Sequence, residues 1–530
     1  MSAATRLRRL DEGARITVVE RSGYVSFANC GLPYHVGGVI SQRDDLLLQT
    51  PSSLAARFGI EVLVRHEVTG IDRSGHTVTV RDLASGEERS LHYDAVVLSP
   101  GATPVRPPIP GAERALSLRD VEDMDAIVAA ADAASTATVI GGGFIGVELA
   151  ENLTHAGLAV TLVEATPQVM APLDPEMVAP VHERLRQKGV ALHLASTVTA
   201  IGSEDVTIET RSGTEQIGAD LVILAIGVRP EAGLAEQAGL EIGERGGIVV
   251  DEAMRTSDPA IYAVGDAVQK ADAVSGDQTL VPLAGLANWQ GRHVADVILG
   301  REVAKRPVLG TAIVGVFGLQ VAATGWSEKR LRADGREYRA IHTHPVSHAG
   351  YYPGAQPMAL KLLVDPETDA ILGAQGVGEE GVDKRVDVIA TAMTGGLTAS
   401  ELADLELSYA PQFGSAKDPV NLLGYVAANL ADGDVETIQW HEVDEARRAG
   451  ATVLDVRSAD EHAADAIDGS INIPVDELRR RIAEVPDGPL VVHCAVGLRG
   501  YLATRILAHH GRSARNLDGG LKTYRAGTSA

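Results

Sequence analysis

The sequence predicts a multidomain α/β protein on three grounds: its length, a glycine-rich turn set between two apolar strands, and further apolar strands that each run into a glycine turn. At 530 residues the chain is too long for one hydrophobic core and corresponds to about three to four domains of roughly 150 residues each. The segment TATVIGGGFIGVELAENLTHAGLAVTLVEA reads as a strand entering Gly141, Gly143 and Gly146, then a helix, then a second strand ending at Glu164. This is a dinucleotide-binding βαβ unit. Glycine lets the backbone turn tightly and approach a pyrophosphate, whose charge is favoured at the helix N-terminus. Glu164 lies about 20 residues beyond the turn, where a carboxylate accepts a hydrogen bond from an adenosine ribose 2′-hydroxyl. The same carboxylate repels a 2′-phosphate, so NADH is expected over NADPH.

The N-terminus carries the second half of a like unit. SAATRLRRLDEGA has the pattern of a helix and RITVVE that of a strand ending in an acid, Glu20, but no first strand and glycine turn precede them. In a doubly wound sheet that strand is central, so the expectation is a truncated start or a reading frame that opens upstream. Later segments DAVVLSPGATP, DLVILAIGVRP and AIYAVGDAV are the further strand-to-glycine turns. Two dinucleotide units with such connections imply a two-cofactor electron-transfer enzyme. Beyond about residue 309 strands and helices mix, ADGDVET reads as a linker, and the last hundred or so residues form another α/β unit.

Composition narrows the partners. Lys and Arg number 47 against 71 Asp and Glu, and the net charge of −24 repels phosphodiester backbones and anionic lipid surfaces, so neither nucleic acid nor membrane is expected as a partner. Aromatic residues make up only 4%, too few for base-stacking platforms. With no apolar run of about 18 residues and no apolar stretch behind the first arginines, a cytoplasmic protein is expected. Cys30 and Cys494 are the only cysteines, too few for a disulfide scaffold or a zinc site. His342, His344 and His348 have the spacing of an irregular loop with no acid or cysteine beside them, and no metal is assigned.

Several motifs carry a family resemblance. SFANCGLPYHVGG, the glycine turn at Gly141, YAVGDA, HAGYYPGA and SYAPQFGSAKDPVN resemble the single-cysteine branch of the flavin-dependent pyridine nucleotide-disulfide oxidoreductases, the coenzyme A-disulfide reductases. DVRSADEHAADAIDGSINIP and CAVGLR resemble a rhodanese domain, and the fused pair is similar to coenzyme A-disulfide and NADH-dependent persulfide reductases with a C-terminal rhodanese. The resemblance implies two Rossmann-like dinucleotide-binding domains for FAD and NAD, an α+β dimerisation domain and a C-terminal α/β rhodanese domain. Expected boundaries are 1–107 and 231–308 for the two parts of the FAD domain, 108–230 for NAD, 309–430 for dimerisation and 435–530 for the rhodanese. By the same resemblance Glu20 binds the FAD ribose, Gly265 and Asp266 the flavin side, and Ser26, Asn29 and Gln49 a coenzyme A pocket. Arg6 and Arg9, three apart on one helical face, are expected to grip its phosphates, although Trp289 stands where a basic residue is expected. Tyr351, with Tyr352 beside it, and Tyr409 are expected to reach the thiol site of the partner subunit of a homodimer, where a phenol can donate to a leaving thiolate.

The cysteine chemistry follows from what is absent. Gly31, Leu32, Pro33, Tyr34 and His35 follow Cys30, so no resolving thiol is at hand and Cys30 must cycle as a mixed disulfide with a small thiol, a persulfide or a sulfenic acid. A helix N-terminus aimed at its sulfur would favour the thiolate. Cys494 ends an apolar strand and opens a loop closed by Gly497 and Arg499, whose backbone N–H groups can nest a persulfide anion with help from Arg499. The resemblance to rhodaneses implies that Asp455, Arg457 and Glu461 form an internal ion pair of structural purpose. The expected activity is NADH-dependent, FAD-mediated reduction of coenzyme A persulfide, polysulfide or coenzyme A disulfide at Cys30, coupled to sulfane-sulfur transfer at Cys494. An NADH oxidase or peroxidase using a Cys30 sulfenate, and a nonredox sulfurtransferase, stay open as alternatives.

Overall fold

The computed structural model describes residues 1–529, which group into two units. The first comprises residues 1–169 and 189–310. Its clearest element is a four-stranded parallel sheet in the order Ala191–His193, Ala159–Val163, Thr136–Ile140 and Leu221–Leu224. Thr136–Ile140 feeds the glycine turn and then the helix Phe144–His155. An antiparallel meander, Thr197–Ile201, Asp205–Thr210 and Gly213–Gly218, packs its apolar faces with the sheet through Val198, Val206, Ile208 and Val222.

The other nucleotide half repeats this plan. Thr17–Glu20 pairs in parallel with Glu61–Val64, a meander runs through His66–Asp72, Thr77–Asp82 and Glu88–His92, and Val96–Leu98 pairs with Ile261–Ala263. Among the described residues Thr17–Glu20 has ladder bonds on one side only. The expected opening helix spans Ser2–Leu10; Ser2 donates to Asn288 Oδ1 (2.7 Å), tying it to the helix Ala284–Ile298.

The second unit comprises residues 170–188 and 311–530, and is described here through residue 529. The helix Pro175–Gln187, inside the range 108–230 expected for the NAD domain, therefore clusters with this unit. A five-stranded antiparallel sheet has the order Ala312–Val316, Leu319–Gly325, Ile371–Gly378, Met358–Val364, Arg339–Thr343. Two of its three inner strands, Ile371–Gly378 and Met358–Val364, are buried along their whole length, as expected of strands covered on both faces. Leu360, Leu362 and Ala374 meet the helices Val382–Gly395 and Pro419–Ala431. Lys361 and Gln375, paired in register, project from the opposite face, where Gln375 bonds Asp174.

A five-stranded parallel sheet closes the chain in the order Thr437–Ile438, Ala514–Leu517, Leu490–His493, Thr452–Asp455, Ile471–Asn472. Alternation along LVVH sends Leu490 and Val492 into one core and Val491 into the other, so this apolar strand is central. After SINIP the chain makes a single helical turn, Val475–Leu478.

Candidate active sites

Cys30 sits on the 3-10 turn Asn29–Gly31, just before the helix Leu32–Val36, and is exposed. A Cβ on Gly31 would lie 2.6 Å from Leu46 Cδ2, so the buried leucine would have to shift to admit one. Partial burial, then the carboxylates of Glu148 and Asp266, push the Cys30 thiol up. In the protein alone these outweigh the five-residue helix that was expected to favour thiolate, since so short a helix contributes little dipole. No second sulfur accompanies Cys30, the other free cysteine being Cys494.

Beside this thiol and at the Gly265 turn the fold collects groups that sequence reasoning passed over. The Tyr34 hydroxyl donates to Glu148 Oε1 (3.0 Å), joining the segment after Cys30 to the helix after the glycine turn. Burial raises the Glu148 carboxyl, and Tyr34 is displaced upward with it. Lys270, nearly fully buried, donates to Gly265 O (2.7 Å) and is pushed down to about 8 by burial. Gln290 accepts the Gly265 N–H (2.9 Å). The available signal was an ionisable or amide residue inside an otherwise apolar run, in GVELAEN and AVGDAVQK.

The expected coenzyme A residues divide. Ser26 and Gln49 are brought together as an antiparallel bridge, and Asn29 donates to Arg119 O (3.2 Å). Arg6 is paired with Asp296 (2.8 Å), both side chains largely buried, which engages the guanidinium that was expected to grip phosphate. Arg9 is exposed. Trp289 packs partly buried beside His293, with ring centroids 4.9 Å apart.

Two dinucleotide groups can be tested against the residues present. Asp266 Oδ1 is buried with no hydrogen-bond partner among the described residues, so it fits the hydroxyl donors of a flavin side chain. Gly265, at φ +83°, makes the turn that presents it. Glu20 ends its strand with one carboxylate oxygen accepting from Ser22 N–H (2.8 Å). On the other nucleotide unit, the twelve-residue helix Phe144–His155 has no side-chain cap, which leaves its first N–H groups for a pyrophosphate. Gly141, at φ +104°, and Gly146 are sterically obligatory: Cβ atoms would lie 2.5 Å from Ala225 O and 1.9 Å from Gly141 O. Gly143 faces open space. Glu164 accepts from the Gly142 N–H (2.7 Å) and the Thr166 N–H (2.8 Å), which holds the carboxylate beside the turn.

Cys494 is buried at the end of Leu490–His493, and the Gly497 N–H donates to its Sγ at 3.1 Å. The helix Leu498–His509 starts at once. Arg499 forms a two-pronged pair with Glu461 (2.7 Å each), and Glu461 first, then the Cys494 sulfur, raise its guanidinium. The expected internal pair is thus Asp455 with Arg457, while Glu461 has a different partner. The reason is local: Ser458 caps the helix Ala459–Ala464 and turns Glu461 toward the loop.

Tyr351 and Tyr409 are brought together, hydroxyl to hydroxyl at 2.8 Å, and both are exposed. Tyr352 instead stacks edge-on against His348. His342 bonds Asp518 and Glu176, and His344 bonds Thr523. The three clustered carboxylates Asp174, Glu176 and Glu328 surround the Lys361 ammonium, which supplies their cation. Among the described residues no helix is long and apolar enough to cross a membrane.

Comparison with known proteins finds similarity over most of the chain. A pyridine nucleotide-disulphide oxidoreductase model matches residues 1–291, the dimerisation domain of that group residues 311–419, and a rhodanese-like domain residues 439–526. Coenzyme A disulfide reductase of Staphylococcus haemolyticus (strain JCSC1435) is 33% identical over 439 residues, covering 81% of this chain and 97% of its own. The crystal structure of reduced Bacillus anthracis CoADR-RHD is 48% identical with a TM-score of 0.98, covering 100% of this chain and 96% of that one. A NAD-dependent persulfide reductase from A. fulgidus is 39% identical with a TM-score of 0.92, over 99% of this chain and 97% of that one.

Proposed function

Since the chain belongs to the pyridine nucleotide-disulphide oxidoreductase family, whose cofactors are FAD and NAD(P)H, we propose that it is an NADH-dependent reductase of coenzyme A persulfide, polysulfide or coenzyme A disulfide, coupled to sulfane-sulfur transfer at Cys494. It works as a cytoplasmic homodimer. The observation that carries this reading is one thiol in each of two modules: Cys30 exposed with no sulfur partner, Cys494 buried under a backbone donor.

Bound flavin supplies the electron pair drawn from reduced nicotinamide; Glu20, Gly265 and Asp266 would hold it, and Gly141, Gly143, Gly146 and Glu164 the nicotinamide dinucleotide, with Glu164 selecting NADH. Arg9, Ser26, Asn29 and Gln49 orient the coenzyme A arm, with Arg6 steadied by Asp296. The Cys30 thiolate attacks the terminal sulfur of a persulfide RSSH, the RS⁻ thiolate leaves, and Cys30 carries the persulfide. Two electrons and one proton release H₂S and restore the thiolate, while RS⁻ takes a second proton. The sum is RSSH + NADH + H⁺ → RSH + H₂S + NAD⁺. The Tyr351–Tyr409 pair, reaching from the partner subunit, supplies a phenol donor to the leaving thiolate. At Cys494 the Gly497 N–H and Arg499 stabilise sulfane sulfur as an anion.

The test is NADH consumption by flavin-loaded protein with coenzyme A persulfide, coenzyme A disulfide, polysulfide or oxygen, alongside Cys30→Ser and Cys494→Ser. Cys30→Ser is expected to lose persulfide reduction by about three orders of magnitude or more. Full activity in Cys30→Ser, or oxygen turnover above persulfide turnover, overturns the reading.

A further inference from the structure

The strand Arg339–Thr343 places His342 where the sulfurtransferase sheet meets it. The His342 backbone N–H donates to both oxygens of Asp518 (3.1 and 3.0 Å), its Nδ1 lies 2.6 Å from Asp518 Oδ2 and its Nε2 3.0 Å from Glu176 Oε1. The side chains of His342, Glu176 and Asp518 are at most 4% exposed. A neutral imidazole would turn a ring lone pair toward a carboxylate oxygen, whereas the doubly protonated ring donates at both ends. Charge balance points the same way. Asp174, Glu176, Glu328 and Asp518 are four buried carboxylates; Lys361 contacts three of them, Arg332 pairs with Glu328 and Lys329 lies near Asp174 and Glu176, so protonated His342 brings a fourth cation to four carboxylates.

Asp518 in turn abuts the sulfur loop. It follows the strand Ala514–Leu517, and Gly519 and Gly520 after it both have φ +64°. A Cβ on Gly519 would lie 2.8 Å from His342 Cβ; one on Gly520 would lie 2.6 Å from Cys494 O. The Leu521 N–H donates to Cys494 O (2.8 Å) and the Lys522 N–H to Ala495 O (3.0 Å). The turn is thus pressed between His342 on one side and the Cys494 loop on the other. Gln439 bonds both Ala340 O and Asp518, and His344 bonds Thr523, extending the seam.

We propose that His342, through its ion pair with Asp518, is a positioning residue for Cys494: a cation on the dimerisation sheet holds the Asp518–Gly520 turn against the back of the sulfur loop and thereby sets sulfur transfer. This rests on the proposed role of Cys494 only for its activity readout. Burial opposes the charge on His342, but Asp518 and Glu176 hold it up to about 9. The other groups facing this seam are Lys361 with Asp174 and Glu328, His344, which burial keeps neutral down to about 3, and Lys329 and Lys522, both pushed down by burial. Deprotonation of His342 leaves a lone pair against a carboxylate, so the turn loosens as pH rises through about 9.

Two measurements test this. Thiosulfate-to-cyanide sulfur transfer, which needs no NADH, is followed from pH 6 to 10.5 in the unaltered protein, His342→Gln and Asp518→Asn. Expected is a descending limb near pH 9 in the unaltered protein, its absence in His342→Gln, and at least a tenfold lower kcat at pH 7 in both variants. A folded His342→Gln with unaltered kcat and the same limb overturns the proposal. The second measurement needs no variant and no sulfur chemistry. Hydrogen-exchange protection of the Leu521 amide in the unaltered protein, corrected for intrinsic rate, is expected to fall at least tenfold between pH 7 and 10. Unchanged protection overturns the proposal whether or not Cys494 carries sulfur.

Discussion

At Gly146 an added Cβ would lie 1.9 Å from the Gly141 carbonyl oxygen, a contact that no side chain makes without moving the backbone. Gly146→Ala is therefore expected to open the phosphate turn and weaken NADH binding at least tenfold, read by titration of the oxidised flavoprotein. Gly520 has a positive φ, and a Cβ added to it would lie 2.6 Å from Cys494 O. Gly520→Ala should abolish sulfur transfer while NADH-dependent flavin reduction continues, and a variant transferring sulfur at the unaltered rate would refute this account of the loop. Residue types exposed much of this in advance. The lone thiol at Cys30, the obligatory glycines and the terminal acids Glu20 and Glu164 are dictated by chemistry and so are visible in the string. The partners of Arg6 and Glu461 are not, since a guanidinium or carboxylate accepts whichever opposite charge the fold delivers, here Asp296 and Arg499.

Secondary-structure elements decide which of these groups meet. The phenols of Tyr351 and Tyr409 share one hydrogen bond between two loops. Tyr351→Phe and Tyr409→Phe are accordingly expected each to lower kcat for persulfide reduction by roughly tenfold, and the double variant to be little worse than either, because both remove the same contact. Strictly multiplicative losses would show that the phenols act separately. On the inner strand Met358–Val364, Lys361 is fully buried among Asp174, Glu176 and Glu328. Lys361→Met strands three carboxylates and is expected to cost about 3–5 kcal/mol, seen as a lower guanidinium midpoint. Adding Glu176→Gln should restore part of the loss; no recovery would mean that packing rather than charge is at stake. Strand periodicity shows Lys361 between leucines, yet only the fold, which brings Asp174 and Glu176 from nearly two hundred residues away together with Glu328, explains how a cation lives there.

At the scale of the whole molecule, the stability of the second unit is predicted to peak near pH 6.5. His342 has a folded pKa raised to about 9, so its contribution is complete below the unfolded value and is lost as pH rises through 9. That contribution is on the order of 3 kcal/mol. His182 and His344 are displaced the other way, to about 4 and about 3, by burial. Their contribution is present above the unfolded value and is lost as pH falls toward those values. Calorimetry from pH 4 to 10 should show a dome whose alkaline limb flattens in His342→Gln; a midpoint that climbs steadily to pH 10 would contradict it.

The sequence by itself determined the modules and the residue types: one complete nucleotide-binding motif and the second half of another, a thiol without a resolving partner and a second thiol between an apolar strand and a glycine-containing loop, because each depends on residue type at short spacing; that Tyr351 and Tyr409 meet is a product of the fold. Only the tertiary structure decided the electrostatic pairings that steady them, Tyr34 with Glu148, Arg499 with Glu461, and His342 between Glu176 and Asp518. Charges and donors have no sequence address for their partners; burial makes an unpaired one costly, and the folded chain selects which groups relieve that cost.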